Sequence, residues 1–233
     1  MNAVVTGATK GMGKAIVLKL AKAGFNIAIC SRNQNEIDMF CKELMFEYPT
    51  IKAVGLRTDC SQQASVKNFE NFVLQQFLTV DVLINNAGIY TPQSILDEGD
   101  EVLINQFQVN TFTAYSLCKF FGKQMRLNKA GHIINICSSA SITPVNEAGS
   151  YTVTKFALLG LTKVLRQELM QHNVKVTAII PGSTLTNSWA GTSIPENRFI
   201  AAEDIANAVM YCLSVSSGAN VDEIIINPLS GNI

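Results

Sequence analysis

Charge is scarce in this chain and balanced where it occurs. Of 233 residues only 15% are Asp, Glu, Lys or Arg, and the formal net charge is zero. There is no basic stripe to neutralise phosphates and no acidic or basic tail, so the sequence points to no nucleic-acid partner. No apolar run is long enough to span a bilayer. Met1 leads straight into Ala3-Val4-Val5, with no charged leader and no small-residue cleavage site. Neither a membrane association nor a secretory signal is therefore expected, and the cytoplasm is the expected compartment. Six cysteines occur, at 30, 41, 60, 118, 137 and 212, without a C-x-x-C pair or a close Cys/His cluster. Most lie inside apolar runs, which predicts buried thiols in a reducing compartment and neither disulfides nor a metal site. No internal repeat, low-complexity tract or linker interrupts the sequence, and the length suits one domain covering 1–233.

What the chain does have is apolar residues, 48% of the total, in a regular alternation of short and long patterns. Seven short runs rich in Val and Ile predict strands: Ala3–Thr6, Asn26–Cys30, Lys52–Leu56, Asp81–Asn85, His132–Cys137, Lys175–Ile180 and Glu223–Ile226. They are apolar on both faces, as parallel strands are when both sides of a sheet are covered. Between them lie amphipathic stretches: Gly13–Ala23, Asn35–Phe46, Gln63–Phe77, Leu103–Lys123, Tyr151–Gln171 and Ala202–Leu213. Strict alternation of strand and helix implies an α/β fold, a doubly wound Rossmann domain with a seven-stranded parallel sheet and helices on both faces. The region Pro181–Arg198 carries Gly, Ser, Thr, Asn and Pro with no clear period and is expected to be a loop. Loops of that length are commonly lids.

The first strand ends in Thr6-Gly7-Ala8-Thr9-Lys10-Gly11-Met12-Gly13 and runs directly into a helix. Gly7 permits a sharp turn, Gly11 a close approach of backbone to a pyrophosphate, and Gly13 close packing of helix on strand. Thr9, Lys10 and Met12 complete that turn, and the helix N-terminus offers free N–H groups and a positive dipole end to phosphates. The second strand stops at Ser31-Arg32-Asn33. An acid at this strand end would accept hydrogen bonds from an adenosine ribose, whereas Arg accommodates a 2′-phosphate. Arg32 and Ser31, with Lys10 as a second cation, favour NADP(H).

Tyr151 and Lys155 are four residues apart in a predicted helix and share one face. A cation beside a phenol favours its ionised form and makes it a better proton shuttle near neutrality. Ser138 follows an apolar strand a short loop earlier, where its hydroxyl can hold a substrate oxygen and hydrogen-bond the phenol; the neighbouring Ser139 reads as loop polarity. Asn85-Asn86-Ala87-Gly88 ends the fourth strand at the same edge of the sheet. Asn110 lies inside a helical pattern, where Asn is a poor helix former, and predicts a kink, a held water or a function.

In this order the residues resemble the short-chain dehydrogenase/reductase family, from Ala3 to about Thr186. The matching features are the turn Thr6–Gly13, Asp59, Asn86-Ala87-Gly88, Asn110, Ser138, Tyr151-x-x-x-Lys155 and Pro181-Gly182-x-x-x-Thr186. The resemblance implies that Tyr151 is the general acid for carbonyl reduction and that Lys155 binds the nicotinamide ribose and tunes Tyr151. It further implies that Ser138 orients the substrate oxygen and Asn110 holds a water in a proton relay. On the cofactor side it places Asp59 and Cys60 at the adenine, Asn86 on the adenosine side, and Thr184 and Thr186 beside the carboxamide and phosphates. A basic residue in the turn and another after the second strand look like the NADP(H)-preferring members. Two features depart from the pattern: Cys60 follows Asp59 where an aliphatic is usual, and the C-terminal Asp222–Ile233 lacks the Val-Asp-Gly-Gly segment of 3-oxoacyl-ACP reductases. That ending, with Ser188-Trp189-Ala190-Gly191, looks more like bacterial sepiapterin reductase-like members.

The activity expected is NADPH-dependent reduction of a ketone, on a pterin side chain or a 3-oxoacyl thioester, with Trp189 in the lid able to stack on a flat ring. The alternative is a catalytically idle NADP(H)-binding regulator or redox sensor. A homo-oligomer is also expected, a tetramer or a dimer. Leu103–Lys123 and Tyr151–Gln171 carry more apolar surface than one sheet face needs, including Phe112, Tyr115, Phe120 and Phe121.

Overall fold

A computed structural model describes residues 1–233. Seven strands form one sheet: β1 (Asn2–Thr6), β2 (Asn26–Ser31), β3 (Ala53–Arg57), β4 (Val82–Asn85), β5 (Gly131–Ile136), β6 (Val174–Pro181) and β7 (Glu223–Ile226). Their spatial order is β3-β2-β1-β4-β5-β6-β7, and every pairing is parallel. The chain winds outward from β1 to β3, returns to lay β4 beside β1, and winds outward again to β7. The reversal opens a crevice at the C-terminal ends of β1 and β4, where ligands of such sheets bind.

Helices α1 (Gly11–Lys22), α2 (Gln34–Glu47) and α7 (Ala202–Ser214) cover one face, and α3 (Gln63–Gln76), α5 (Thr113–Asn128) and α6 (Gly149–Leu169) the other. The strand sequences divide between these two cores by their period of two. Val5, Ile27, Ile29 and Ile84 pack with Ile16, Leu20, Ile37 and Val209. Their neighbours Val4, Ala28 and Leu83 pack with Phe69, Val73, Leu117 and Phe121. Continuous apolar runs are the sequence consequence of burying both faces. No helix is long and apolar enough to cross a membrane. All six cysteines are free, and only Cys60 is not fully buried.

The structure departs from expectation between β4 and β5. Leu103–Lys123 is not one helix. Helix α4 (Asp100–Phe107) passes into a wide π turn, Gln108–Phe112, before α5 begins. Asn110 lies within that turn with its side chain committed to another segment, and the extra residue of a π turn accommodates this. At β5 the strand ends at Ile136, one residue short of Cys137, and α6 starts at Gly149, which puts Tyr151 in its first turn. The expected loop Pro181–Arg198 begins inside β6, since Pro181 pairs with Ile226. It contains two 3-10 turns, Asn187–Trp189 and Glu196–Arg198.

Candidate active site

The glycine turn after β1 is built by backbone shape and close packing. Gly7 and Gly11 adopt φ of +62° and +52°, a region where a Cβ is strained. A Cβ on Gly13 would overlap the Gly7 carbonyl oxygen and stand 2.6 Å from Asn86 Nδ2. Asn86 locks the turn to the end of β4: its Nδ2 donates to the Thr6 and Gly7 carbonyls at 3.0 Å each. The Thr6 hydroxyl oxygen in turn accepts the N–H groups of Asn86 and Ala87 at 3.0 and 2.9 Å. Helix α1 starts without a side-chain cap and without an acid in its first turn. Its leading N–H groups and positive dipole end are therefore free for an anion.

In front of this turn lies a cleft of about 480 Å³. Its walls are Gly7, Thr9 to Met12, Cys30 to Arg32, Thr58 to Ser61, Asn86 to Ile89, Asn105, Val109 and Thr186 to Ser188. The expected residues Gly7, Thr9, Lys10, Gly11, Met12, Ser31, Arg32, Asp59, Cys60, Asn86, Ala87, Gly88 and Thr186 thus converge on one space, and a glycine cradle beside a free helix N-terminus fits a dinucleotide. Gly13 stands behind the wall and acts through packing. Pro181, Gly182 and Thr184 are not on this wall. Pro181 is buried at the end of β6. Gly182 is crowded by Asn232, which accepts the Ser183 N–H at 2.9 Å, and the buried Thr184 turns its hydroxyl back to the Gly182 carbonyl at 3.0 Å. Thr186 reaches the cleft and packs its side chain against Gly11.

At the adenosine end, the sequence reading missed an acid. Glu36, in the first turn of α2, pairs with Lys10 at 2.9 Å and accepts from the Thr9 hydroxyl at 3.3 Å; Thr9 and Ser31 are hydrogen-bonded at 3.0 Å. The Lys10 contact holds the Glu36 carboxyl below its ordinary value. Lys10, expected as a second cation, shares its charge with Glu36 through an exposed ion pair. Arg32 remains free of an ion pair on the same wall. Asp59 has its carboxyl lowered first by hydrogen bonds from the Ser61 hydroxyl, at 2.7 Å, and N–H, at 2.9 Å, with further attraction from Arg32 and Arg57.

Behind Gly88 and Ile89 three chain segments come together; Asn110, Ser138, Tyr151 and Lys155 lie next to the cleft and not on its wall. The Asn110 amide pairs with both backbone groups of Ile89, accepting its N–H at 2.8 Å and donating to its carbonyl at 3.0 Å. It also donates to the Thr154 hydroxyl at 3.0 Å, and that hydroxyl donates to the Tyr151 carbonyl at 2.8 Å. Lys155 is buried, donates to the Ile136 carbonyl at 3.1 Å, and lies 5.7 Å from the centroid of the Tyr151 ring. A Cβ on Gly88 would have Asn110 Oδ1 and Lys155 Nζ as its nearest neighbours, at 3.5 and 3.7 Å. Ser138 caps a short 3-10 turn, its hydroxyl oxygen accepting the Ala140 N–H at 3.2 Å. It makes no hydrogen bond to Tyr151, contrary to the expected direct contact, and its proton is left for another acceptor. The Tyr151 ring instead packs edge-to-face with Tyr90, centroids 4.9 Å apart. Trp189 packs edge-on against Phe199 at 4.9 Å, so in this arrangement it anchors the lid.

Beyond Glu36, sequence reasoning missed Cys30, Thr58, Ser61, Ile89, Asn105, Val109, Asn187 and Ser188 on the cleft wall. Most flank the expected motifs, so proximity to a strand end was the available signal. Asn105, in α4, and Val109, in the π turn, gave none, because they lie far along the chain from any strand end.

Residues 1–196 match the short chain dehydrogenase family. An uncharacterized oxidoreductase of Staphylococcus epidermidis is 30% identical over 227 residues, covering 97% of this chain and 96% of that one. A 3alpha-hydroxysteroid dehydrogenase of Mediterraneibacter gnavus is 31% identical over 233 residues, covering 96% and 93%. The solved structure of an alcohol dehydrogenase from Thermococcus sibiricus, complexed with 5-hydroxy-NADP, superposes with a TM-score of 0.91 at 25% identity, covering 100% of this chain and 98% of that one.

Proposed function

This chain belongs to the short chain dehydrogenase family, and from that premise we propose that it is an NADP(H)-dependent oxidoreductase that reduces a ketone to an alcohol. When bound, the nicotinamide supplies the hydride. The chain's own part begins with holding the dinucleotide: the N–H groups at the start of α1 and the bare Gly11 face the pyrophosphate, Asp59 and Cys60 flank the adenine, and Arg32 faces the 2′-phosphate. The relative crystallised with an NADP derivative supports that cofactor. So does the absence of a free acid at the end of β2, since Glu36 is tied to Lys10.

Tyr151 donates the proton to the substrate oxygen. Ser138, whose hydroxyl proton is uncommitted, donates a second hydrogen bond to the same oxygen, where negative charge develops. Lys155 holds the nicotinamide ribose and sets its cation beside the Tyr151 ring. Asn110, through Thr154 and Ile89, fixes the wall against which these groups work and holds a water in the relay that returns a proton to Tyr151. The observation that carries this reading is the buried Lys155 amine 5.7 Å from the Tyr151 ring, beside Gly88 on the cleft wall. Substrate readings comprise a pterin side-chain ketone and a 3-oxoacyl thioester, and the steroid dehydrogenase relative adds cyclic ketones.

The test is loss of NADPH absorbance against a panel of ketones; tight NADPH binding with no turnover of any carbonyl would return the idle-regulator reading. We also read the chain as a single domain working in the cytoplasm as a homo-oligomer, a tetramer or a dimer, joined through α5 and α6. Tyr115, Val153, Phe156 and Val164 are exposed there, with Phe112 just before α5, whereas Phe121 is core and Phe120 packs on it. Sedimentation at micromolar concentration tests this, and a monomer would overturn it.

A further inference from the structure

Three segments leave the C-terminal edge of the sheet: residues 88–101 after β4, which touch Tyr151 through Tyr90, residues 138–150 after β5, which lead into it, and residues 182–201 after β6. They contain Asp97, Glu98, Asp100, Glu101, Glu147 and Glu196 but a single cation, Arg198, whose Nε is buried. The first two segments are bound to each other. Gln93 bridges to Ala148, its carbonyl accepting the Gly149 N–H at 3.1 Å, and the Ser150 hydroxyl donates to Glu98. Tyr90 follows the Ile89 that lines the cofactor cleft. It is 49% exposed, has no hydrogen-bond partner, and turns its ring edge-to-face with Tyr151. Glu147 is exposed on the facing segment in the left-handed region, φ +54°. Its charge reaches the Tyr90 phenol, whose ionisation is pushed up first by burial and then by Tyr151 and Glu147. Ile142 and Val145, on the same segment as Glu147, are exposed apolar residues.

Resting on the reductase reading above, we propose that Tyr90 and Glu147 make the cleft beside Tyr151 select aromatic ketones that are neutral or cationic, and reject anionic ones. Tyr90 offers a half-exposed aromatic surface against which a flat substrate packs while its carbonyl meets Tyr151. Glu147 and the acidic surroundings repel an anion, since these segments carry six acids against the one cation, Arg198. A pterin-like ketone meets both conditions. A thioester on an acidic carrier meets neither, since its carrier would face like charge across the opening.

The test uses three ketones of one shape: acetophenone, 4-acetylbenzoate and 4-acetyl-N,N,N-trimethylanilinium. Binding to the protein saturated with NADP+ is measured by calorimetry at low salt, and turnover is measured separately with NADPH. A single like charge at this range is expected to weaken the benzoate about tenfold relative to acetophenone, and added salt to narrow the gap. Glu147→Gln should reduce the discrimination and Glu147→Lys reverse it. Tyr90→Ala should weaken all three ligands about tenfold, with Tyr90→Phe restoring them. Equal affinity for benzoate and acetophenone, a ratio unmoved by Glu147→Lys, unchanged binding in Tyr90→Ala, or no binding of any of the three would each overturn the proposal. Binding in the expected order without turnover would support this selection and refute the reductase reading.

Discussion

Replacing Asn110 by Ala removes three hydrogen bonds from a residue that is 1% exposed. The Ile89 N–H and carbonyl each lose their partner at the edge of the cleft, and a buried polar group left unpaired costs about 1–3 kcal/mol. With one of the two rescued by water entering the vacated space, the loss of unfolding free energy should be about 3 kcal/mol. Thr154 keeps its bond to the Tyr151 carbonyl, so α6 stays intact and the damage falls on the 88–89 segment. Urea unfolding followed by circular dichroism measures the stability, and steady-state turnover at a temperature where the variant is folded measures the activity. Turnover should drop at least about tenfold, because an active-site wall misplaced by a fraction of an ångström spoils the reacting geometry. Asn110→Asp is the control. It preserves size and the acceptor for the Ile89 N–H but turns a carboxylate oxygen toward the Ile89 carbonyl, so it should be no better than Ala. A variant within about 1 kcal/mol of the parent, or one destabilised as expected yet fully active, would refute this reasoning.

Three further outcomes follow from the structure. Gly13→Ala should cost more than about 3 kcal/mol and abolish NADPH binding, because its Cβ would overlap the Gly7 carbonyl against backbone that cannot yield; a folded variant with parental affinity by fluorescence titration would contradict it. Arg32→Ala should lower the NADPH/NADH ratio of kcat/KM and Arg32→Asp invert it, since Lys10 is held by Glu36 and cannot fully substitute; an unchanged ratio would remove Arg32 from the phosphate site. His132 is buried against Thr177 at 2.8 Å, and burial lowers its pKa to about 4. Its neutral form is favoured in the fold, so the contribution is complete above the unfolded value near 6.5 and lost as pH falls toward 4, about 3 kcal/mol in all. His132→Gln should flatten that part of the stability–pH curve, and an unaltered slope would locate the acid sensitivity elsewhere.

The sheet was legible because its strands are buried on both faces, so Val4 and Val5 could both be apolar while serving different cores. The glycine turn was legible because sharp turns and close approaches leave glycine no substitute, as at Gly7 and Gly13. What the sequence did not show was pairing between distant positions. Glu36 is 26 residues from Lys10 and follows the strand end by several residues, so its neutralising contact has no local pattern. The break at Gln108–Phe112 was signalled only by Asn110, whose partner Ile89 lies 21 residues earlier. Phe121 and Tyr115 look alike in an apolar helix, yet one is fully buried and the other 52% exposed, a difference set by which face meets the sheet. The motif Pro181-Gly182-x-x-x-Thr186 predicted one contact surface, but β6 runs through Pro181 and only the far end of the motif reaches the cleft.

Tyr151 is proposed to carry the chemical step and not to hold the cofactor. Tyr151→Phe keeps the ring, and with it the packing against Tyr90 and the position beside Lys155. It removes only the hydroxyl proposed to stabilise charge on the substrate oxygen as hydride arrives. With a ketone that the parent protein turns over well, kcat should fall roughly 10²–10⁴-fold while NADPH affinity, measured by fluorescence titration, stays near that of the parent. A Tyr151→Phe protein that retains most of its kcat would rule Tyr151 out as the proton donor, because the proton would then come from another group.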